Sequence, residues 1–110
     1  MGRYITTTGT AGVTTREVST TYSAAVNDRV LANSASSAYT ITLPANASLL
    51  VNDTIQIIDI SNNAGSNNLT VGRNGSVING SAENLVIDVN GAIVTLIYTG
   101  STYGWVVGSV

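Results

Sequence analysis

The clearest pattern in the chain is the strict alternation of Tyr39-Thr40-Ile41-Thr42-Leu43-Pro44. Large apolar residues take every second position, and threonines lie between them. Because successive side chains of a β-strand point to opposite sides, the pattern predicts a strand with one buried face and one hydroxyl face. Pro44 ends this strand, since proline has no N–H to donate to a sheet.

Similar short apolar runs recur along the chain and are separated by turn residues. The predicted strands are Arg29–Ala32, Ala38–Leu43, Asp53–Ile60, Asn68–Arg73, Ser76–Ile78, Asn84–Val89, Ala92–Tyr98 and Gly104–Val107. Strands that recur every ~8–12 residues are typical of all-β domains. The sequence therefore predicts an all-β fold, specifically a small antiparallel, jelly-roll-like β-sandwich over residues 22–110.

The turns between these strands are rich in asparagine and glycine. Asn74-Gly75 and Asn90-Gly91 predict type I′ hairpin turns, in which both central residues have positive φ, and Asn79-Gly80 is a third candidate. The segment Ala45–Leu50 has room for a single helical turn.

Two strands depart from simple alternation. The doublet Ile57-Ile58 switches the apolar face of its strand, which predicts a bulge or bend. The run Ile93-Val94-Thr95-Leu96-Ile97-Tyr98 is apolar on both faces, which is typical of strands buried on both sides. We expect Ile93, Leu96, Ile97 and Tyr98 to lie either at an interface between copies or in the centre of the core.

The composition excludes many functions. The chain has 110 residues with 6 acidic residues, 4 arginines, no lysine, histidine or cysteine, and a net charge of −2. Disulfides, thiol and imidazole catalysis and cysteine or histidine metal sites are impossible, and we expect a protein without cofactor or enzymatic activity. The few cations argue against nucleic-acid binding, and no apolar run reaches the ~18–20 residues of a membrane span.

Residues 1–21 differ from the rest of the chain because they are rich in threonine and glycine and poor in large apolar groups. We expect an extended N-terminal arm, whose backbone adds to the edge of a partner's sheet while its arginines pair with carboxylates. The alternative is a frayed tail. The expected anchoring residues are Arg3, Tyr4, Ile5, Arg16 and Glu17.

Two aromatic residues near the C-terminus, Tyr103 and Trp105, have two interpretations. Aromatic rings stack on sugars, which would suit a glycan-binding protein. The favoured interpretation is that they close the core or an interface, because a chain without phenylalanine needs its few aromatic residues for packing.

Six segments carry a resemblance to known proteins. They are Asn27-Asp28-Arg29-Val30-Leu31-Ala32, Tyr39-Thr40-Ile41-Thr42-Leu43-Pro44-Ala45, Asn52-Asp53-Thr54-Ile55-Gln56-Ile57-Ile58-Asp59, Asn68-Leu69-Thr70-Val71-Gly72-Arg73-Asn74-Gly75, Ile78-Asn79-Gly80-Ser81-Ala82-Glu83-Asn84-Leu85 and Tyr103-Gly104-Trp105-Val106-Val107. Together they resemble a β module of tailed-bacteriophage virion proteins, found in trimeric tail-fibre and appendage domains and in small head-decorating proteins.

The resemblance implies a homotrimeric, non-enzymatic structural protein. The chain is much shorter than a typical fibre, which favours a capsid decoration (cement or head-fibre) protein at the virion surface, anchored by its arm to the phage major capsid protein. The alternative is a tail-fibre or appendage module that binds host-surface glycans.

Overall fold

The structure is a computed structural model that describes residues 12–109. The nine strands within this range are β1 (Thr14–Val18), β2 (Tyr22–Ser23), β3 (Asp28–Ala32), β4 (Tyr39–Thr42), β5 (Thr54–Asp59), β6 (Leu69–Gly72), β7 (Leu85–Ile87), β8 (Ile93–Tyr98) and β9 (Trp105–Ser109). One turn of 3₁₀-helix lies at Asn46–Ser48, and the described residues form no α-helix. The predicted all-β class is confirmed.

The strands form two sheets. One has five strands in the order β1-β3-β5-β8-β9, and the other has four in the order β2-β4-β6-β7. From β1 to β6 the chain passes alternately between the two sheets, so consecutive strands within each sheet run parallel. The last strands, β7, β8 and β9, pair antiparallel with their neighbours.

The expected antiparallel, jelly-roll-like arrangement is therefore wrong. A jelly roll consists of antiparallel Greek keys, whereas four of the seven strand pairs within residues 12–109 are parallel. Alternation in a sequence indicates which side chains are buried, but it contains no information on the direction of the neighbouring strand.

One hydrophobic core is formed by buried side chains from both sheets. In β4, Tyr39 and Ile41 are buried while Thr40 and Thr42 are half-buried, as the alternation predicts. Fully burying an aliphatic side chain of this size stabilises a fold by roughly 1.5–3 kcal/mol. The other large, fully buried side chains are Val30, Leu43, Ile55, Ile57, Leu69, Val71, Leu96 and Trp105.

Seven of the predicted strands match observed strands to within two residues at each end. The prediction at Ser76–Ile78 is wrong as a strand, because Ile78 makes isolated bridges to Ser81 and Trp105 instead. The predicted helical turn in Ala45–Leu50 is present as the 3₁₀ turn.

The sequence did not reveal β1, which falls inside the expected arm, or β2, which lies at the start of the domain predicted over residues 22–110. Thr14–Val18 pairs in parallel with β3 of the same chain, so Arg16 and Glu17 belong to an edge strand of the five-stranded sheet. The other arm residues, Arg3, Tyr4 and Ile5, lie outside the described residues.

The Asn-Gly turns differ from one another. Both residues have positive φ in Asn74-Gly75 (47° and 91°) and in Asn79-Gly80 (51° and 77°), as a type I′ turn requires. At Asn90-Gly91 the type I′ prediction is wrong, because Gly91 has a φ of 74° while Asn90 is not in the positive region. A glycine third in a turn closed by the N–H of Ala92 and the carbonyl of Val89 (3.2 Å) matches type II.

Candidate functional site

The side of the five-stranded sheet that points away from the core carries three rows of side chains, which we call the outer face. Register partners on adjacent strands project to the same side of a sheet, which defines the rows. One row is Leu31, Ile58 and Ile93, the middle row is Arg29, Gln56 and Thr95, and the last row is Thr54, Ile97 and Val106. Aliphatic side chains therefore flank a polar row.

The polar row is held by its own hydrogen bonds. Arg29 Nε donates to Gln56 Oε1 at 3.0 Å, and Gln56 Nε2 donates to Thr95 Oγ1 at 3.2 Å. The row ends at Gly108, the register partner of Thr95, which has no side chain. These bonds fix the polar row but leave the charge of Arg29 in place, so the aliphatic surface open to a partner lies on either side of this row.

The most accessible aliphatic side chains of the outer face are on β8 and β9. Ile97 is 42% exposed and Val106 is 41% exposed, while Leu31, Ile58 and Ile93 are half-buried. The two exposed residues are register partners on adjacent strands. Grouped aliphatic side chains on the surface of a protein are typical of protein–protein contacts.

Charge is distributed unevenly around this sheet. The chain contains no aspartate, glutamate or arginine after Asp88, so β8 and β9 carry no charge. At the other edge, β1 and β3 carry Arg16, Glu17, Asp28 and Arg29. A partner that covers β8 and β9 has no charge on these strands to desolvate.

The two sheets also differ in size, since one has five strands and the other has four. The segment before the Asn79-Gly80 turn covers one end of β9, where the N–H of Trp105 donates to the carbonyl of Val77 at 2.9 Å. Farther along, a groove of ≈ 400 Å³ opens between β7 and Val107, with mainly aliphatic side chains along it. The free edge of β7 and the uncharged hairpin of β8 and β9 thus lie on the same side of the molecule.

The structure places the four residues predicted for an interface or core on opposite sides of β8. Leu96 and Tyr98 are buried in the core, at 0% and 7% exposure. Ile93 and Ile97 belong to the outer face.

Sequence reasoning missed Leu31, Ile58 and Val106. Each is one member of an apolar doublet, with Val30, Ile57 and Val107 as the inward-facing members. Ile57-Ile58 lies in β5 without a break in register to either neighbour, so the bulge expected there is wrong. Two adjacent apolar residues within an alternating strand indicate that both of its faces are apolar, and this pattern could have identified the outer face from the sequence.

The two candidate sugar-stacking residues have different environments. Trp105 is fully buried and packs edge-on against Tyr98, with ring centroids 5.5 Å apart. Tyr103 is 66% exposed in the loop between β8 and β9. Only the ring of Tyr103, of this pair, is accessible to a sugar.

The buried carboxylate of Asp59 is used to hold two loops together. It accepts hydrogen bonds from the backbone N–H groups of Ala64 and Gly91, both at 2.9 Å, and from the Ser61 hydroxyl at 3.1 Å. Burial alone would raise the pKa of Asp59, but hydrogen bonds from Ala64, Gly91, Asn63 and Ser61 outweigh it and lower the pKa below 3.8. The Asp59 carboxylate therefore has a structural role, since its oxygens accept hydrogen bonds from these two loops.

Asp28 is buried as well, and its hydrogen bonds stabilise the start of β3. It accepts hydrogen bonds from the Tyr22 hydroxyl at 2.7 Å and from the N–H of Ala25 at 2.9 Å. Burial, followed by this bond to the carboxylate, raises the pKa of Tyr22. The Arg16 guanidinium lies 4.0 Å from the same carboxylate, and its side chain is 57% exposed.

Within residues 12–109, no three acidic side chains come together in a way that would hold a metal ion. The same part of the chain has no helix with the length and apolar character of a membrane span. No protein-family model matches the chain, and no curated protein is significantly similar to it.

Proposed function

We propose that this chain is a non-enzymatic structural protein of a tailed-bacteriophage virion, which forms a homotrimer and decorates the capsid surface. The observation that carries the proposal is the outer face, where Ile97 and Val106 are exposed on a hairpin without charge. The sequence resemblance supplies the virion setting and the number three.

Association through the outer face follows from its chemistry. Covering Ile97 and Val106 removes aliphatic surface from water, which contributes roughly 25 cal/mol per Å². The polar row is internally hydrogen-bonded, and the charge of Arg29 must stay in water or be paired by the partner. Three copies related by a three-fold axis would close such a contact into a ring.

The proposed contact with the major capsid protein lies in the N-terminal segment. One edge of β1 is already paired with β3, so we place the anchor mainly in the residues before β1, among them Arg3, Tyr4 and Ile5. Three anchors on one rigid body act at high effective concentration, so a weak single contact gives strong overall binding.

The test is deletion of residues 1–11, followed by measurement of occupancy on expanded capsids by quantitative electron microscopy. The shortened chain should remain a trimer, because β1 and the outer face are intact, but should lose most of its capsid binding. Undiminished occupancy would overturn the proposal that this segment anchors the protein to the capsid. A matched variant, Arg16→Ala, keeps the N-terminal segment and should bind normally.

A second function, binding of host-surface glycans, is favoured by the exposed ring of Tyr103. It predicts binding to host cells or their polysaccharide that Tyr103→Ala abolishes while the circular dichroism spectrum is unchanged. Trp105 does not suit this test, since its buried ring supports the core.

A further inference from the structure

Three Asn-Gly pairs lie in turns of this chain, at positions 74–75, 79–80 and 90–91. In such a pair the backbone nitrogen of glycine attacks the side-chain carbonyl of asparagine with little hindrance, because glycine has no Cβ. The sequence makes the three sites chemically alike, but their hydrogen bonds make them different.

Asn79-Gly80 is held at both reacting groups. The N–H of Gly80 donates to the carbonyl of Tyr103 at 3.0 Å. The side-chain oxygen of Asn79 accepts from the N–H of Val107 at 3.1 Å. Both bonds must break before the glycine nitrogen can reach the asparagine side chain.

Asn90-Gly91 is held even more firmly. The N–H of Gly91 donates to the Asp59 carboxylate at 2.9 Å, and Asn90 Oδ1 accepts from the N–H of Gly65 at 2.7 Å. The hydrogen bonds to Asp59 lower its pKa and keep it ionised. Its negative charge opposes removal of the Gly91 proton, which is required for attack.

Asn74-Gly75 lacks this protection. Within residues 12–109, the N–H of Gly75 has no hydrogen-bond acceptor. The Asn74 side chain is held by one bond, from its Nδ2 to the carbonyl of Leu43 at 3.0 Å. Both residues of all three pairs are exposed to water and hydroxide, so hydrogen bonding is what distinguishes Asn74-Gly75.

We propose that Asn74 is the site of spontaneous deamidation in the folded protein. Gly75 N loses its proton to a solvent base and bonds to Asn74 Cγ, the Cγ–Nδ2 bond breaks, and ammonia leaves with a proton from solvent. Water then opens the resulting cyclic imide at either carbonyl, which gives aspartate or isoaspartate. The change converts a neutral amide to a carboxylate on a chain whose net charge is −2.

The modification also alters a contact between strands. The new carboxylate has no N–H to donate to the Leu43 carbonyl, and its charge repels that oxygen. Leu43 is fully buried and directly follows β4, so deamidation loosens the junction between β4 and the turn after β6.

The experiment is incubation of the intact chain at mildly alkaline pH, with peptide mapping by tandem mass spectrometry at successive times. Asn74 should convert first, and Asn79 and Asn90 should each be about fivefold or more slower, the factor for one net hydrogen bond of ~1 kcal/mol. The same incubation in guanidinium chloride should bring the three rates together, because the protecting bonds are lost.

Conversion of Asn79 or Asn90 at the rate of Asn74 in the folded chain would overturn the proposal. So would a folded chain in which all three sites are unchanged while the denatured chain reacts. Asn74→Asp provides a mimic, which should increase hydrogen exchange near Leu43, and unchanged exchange there would contradict the loss of this contact.

Discussion

The two edge strands of the five-stranded sheet differ in nearly every property. β1 has no buried side chain and carries Arg16 and Glu17, whereas β9 has no charge and begins with the fully buried Trp105. Natural sheets protect exposed edges with charges and short strands. The β1 edge has such protection and the β9 edge does not, which is consistent with the proposal that another copy covers the β9 side.

The two edge strands also contribute differently to the hydrophobic core. Val18 is the one residue of β1 that is even half-buried against the core, while β9 contributes the largest fully buried side chain of the described chain. β1 therefore extends the sheet with little contribution to the core, whereas β9 is part of the core.

The largest expected effect is that of Trp105→Ala. Removing a fully buried indole leaves a large cavity and should lower the free energy of unfolding by about 3–5 kcal/mol. Denaturation in urea, followed by tryptophan-independent circular dichroism, measures it.

Val18→Ala is the matched change on the opposite edge and should lower the free energy of unfolding by about 1 kcal/mol or less, since its side chain is only half-buried. Trp105→Phe should be milder than Trp105→Ala, because a ring remains and the indole N–H has no partner within residues 12–109. Equal losses for Trp105→Ala and Val18→Ala would contradict the difference between the edges.

Asp59→Ala should have the second-largest effect on the free energy of unfolding. The change leaves the N–H groups of Ala64 and Gly91 without their acceptor, at an expected cost of about 2–3 kcal/mol in the free energy of unfolding. Urea denaturation at neutral pH gives the value, and Asp53→Ala, whose side chain bonds one N–H in an exposed turn, should cost less.

The contribution of Asp59 should also depend on pH. Because folding lowers its pKa, the ionised group stabilises the fold fully above its unfolded pKa of about 4. That stabilisation is lost as the pH falls through the lower, folded pKa. The difference between wild type and Asp59→Asn should therefore shrink as the pH falls below about 4, and a difference that stays constant would show that the charge is unimportant.

Ile97→Lys tests the outer face and should act on association rather than folding. A charge placed in a desolvated aliphatic contact should weaken binding between copies by about 1–2 kcal/mol, or roughly tenfold. The measurement is the concentration at which the oligomer dissociates in sedimentation equilibrium.

Leu50→Lys is the control for Ile97→Lys, because Leu50 is 72% exposed in a loop outside the outer face. If both variants weaken association equally, the contact is not the outer face.

The smallest expected effect is that of Arg16→Ala on β1. Its guanidinium is largely exposed and 4.0 Å from Asp28, and exposed ion pairs contribute only ~0–1 kcal/mol. A loss of more than about 1 kcal/mol in urea denaturation would mean that the charged edge supports the fold directly.

The central strands were predictable because alternation indicates burial regardless of which strand is the neighbour. β1 was not, since Val18 is its one half-buried side chain and the segment becomes a strand by pairing with β3. β2 was not, since it is only two residues long. The parallel pairing depends on the chain crossing between sheets, which alternation does not encode. In the candidate site, Ile97 was predicted from its two-faced strand, while Val106 becomes recognisable only once its register partner is known.

Sedimentation equilibrium over a range of concentrations gives the molar mass of the intact chain in solution. We expect a species of three times the protomer mass of 11.3 kDa, which dissociates more readily in Ile97→Lys. A species of 11.3 kDa at every concentration would contradict the proposed trimer.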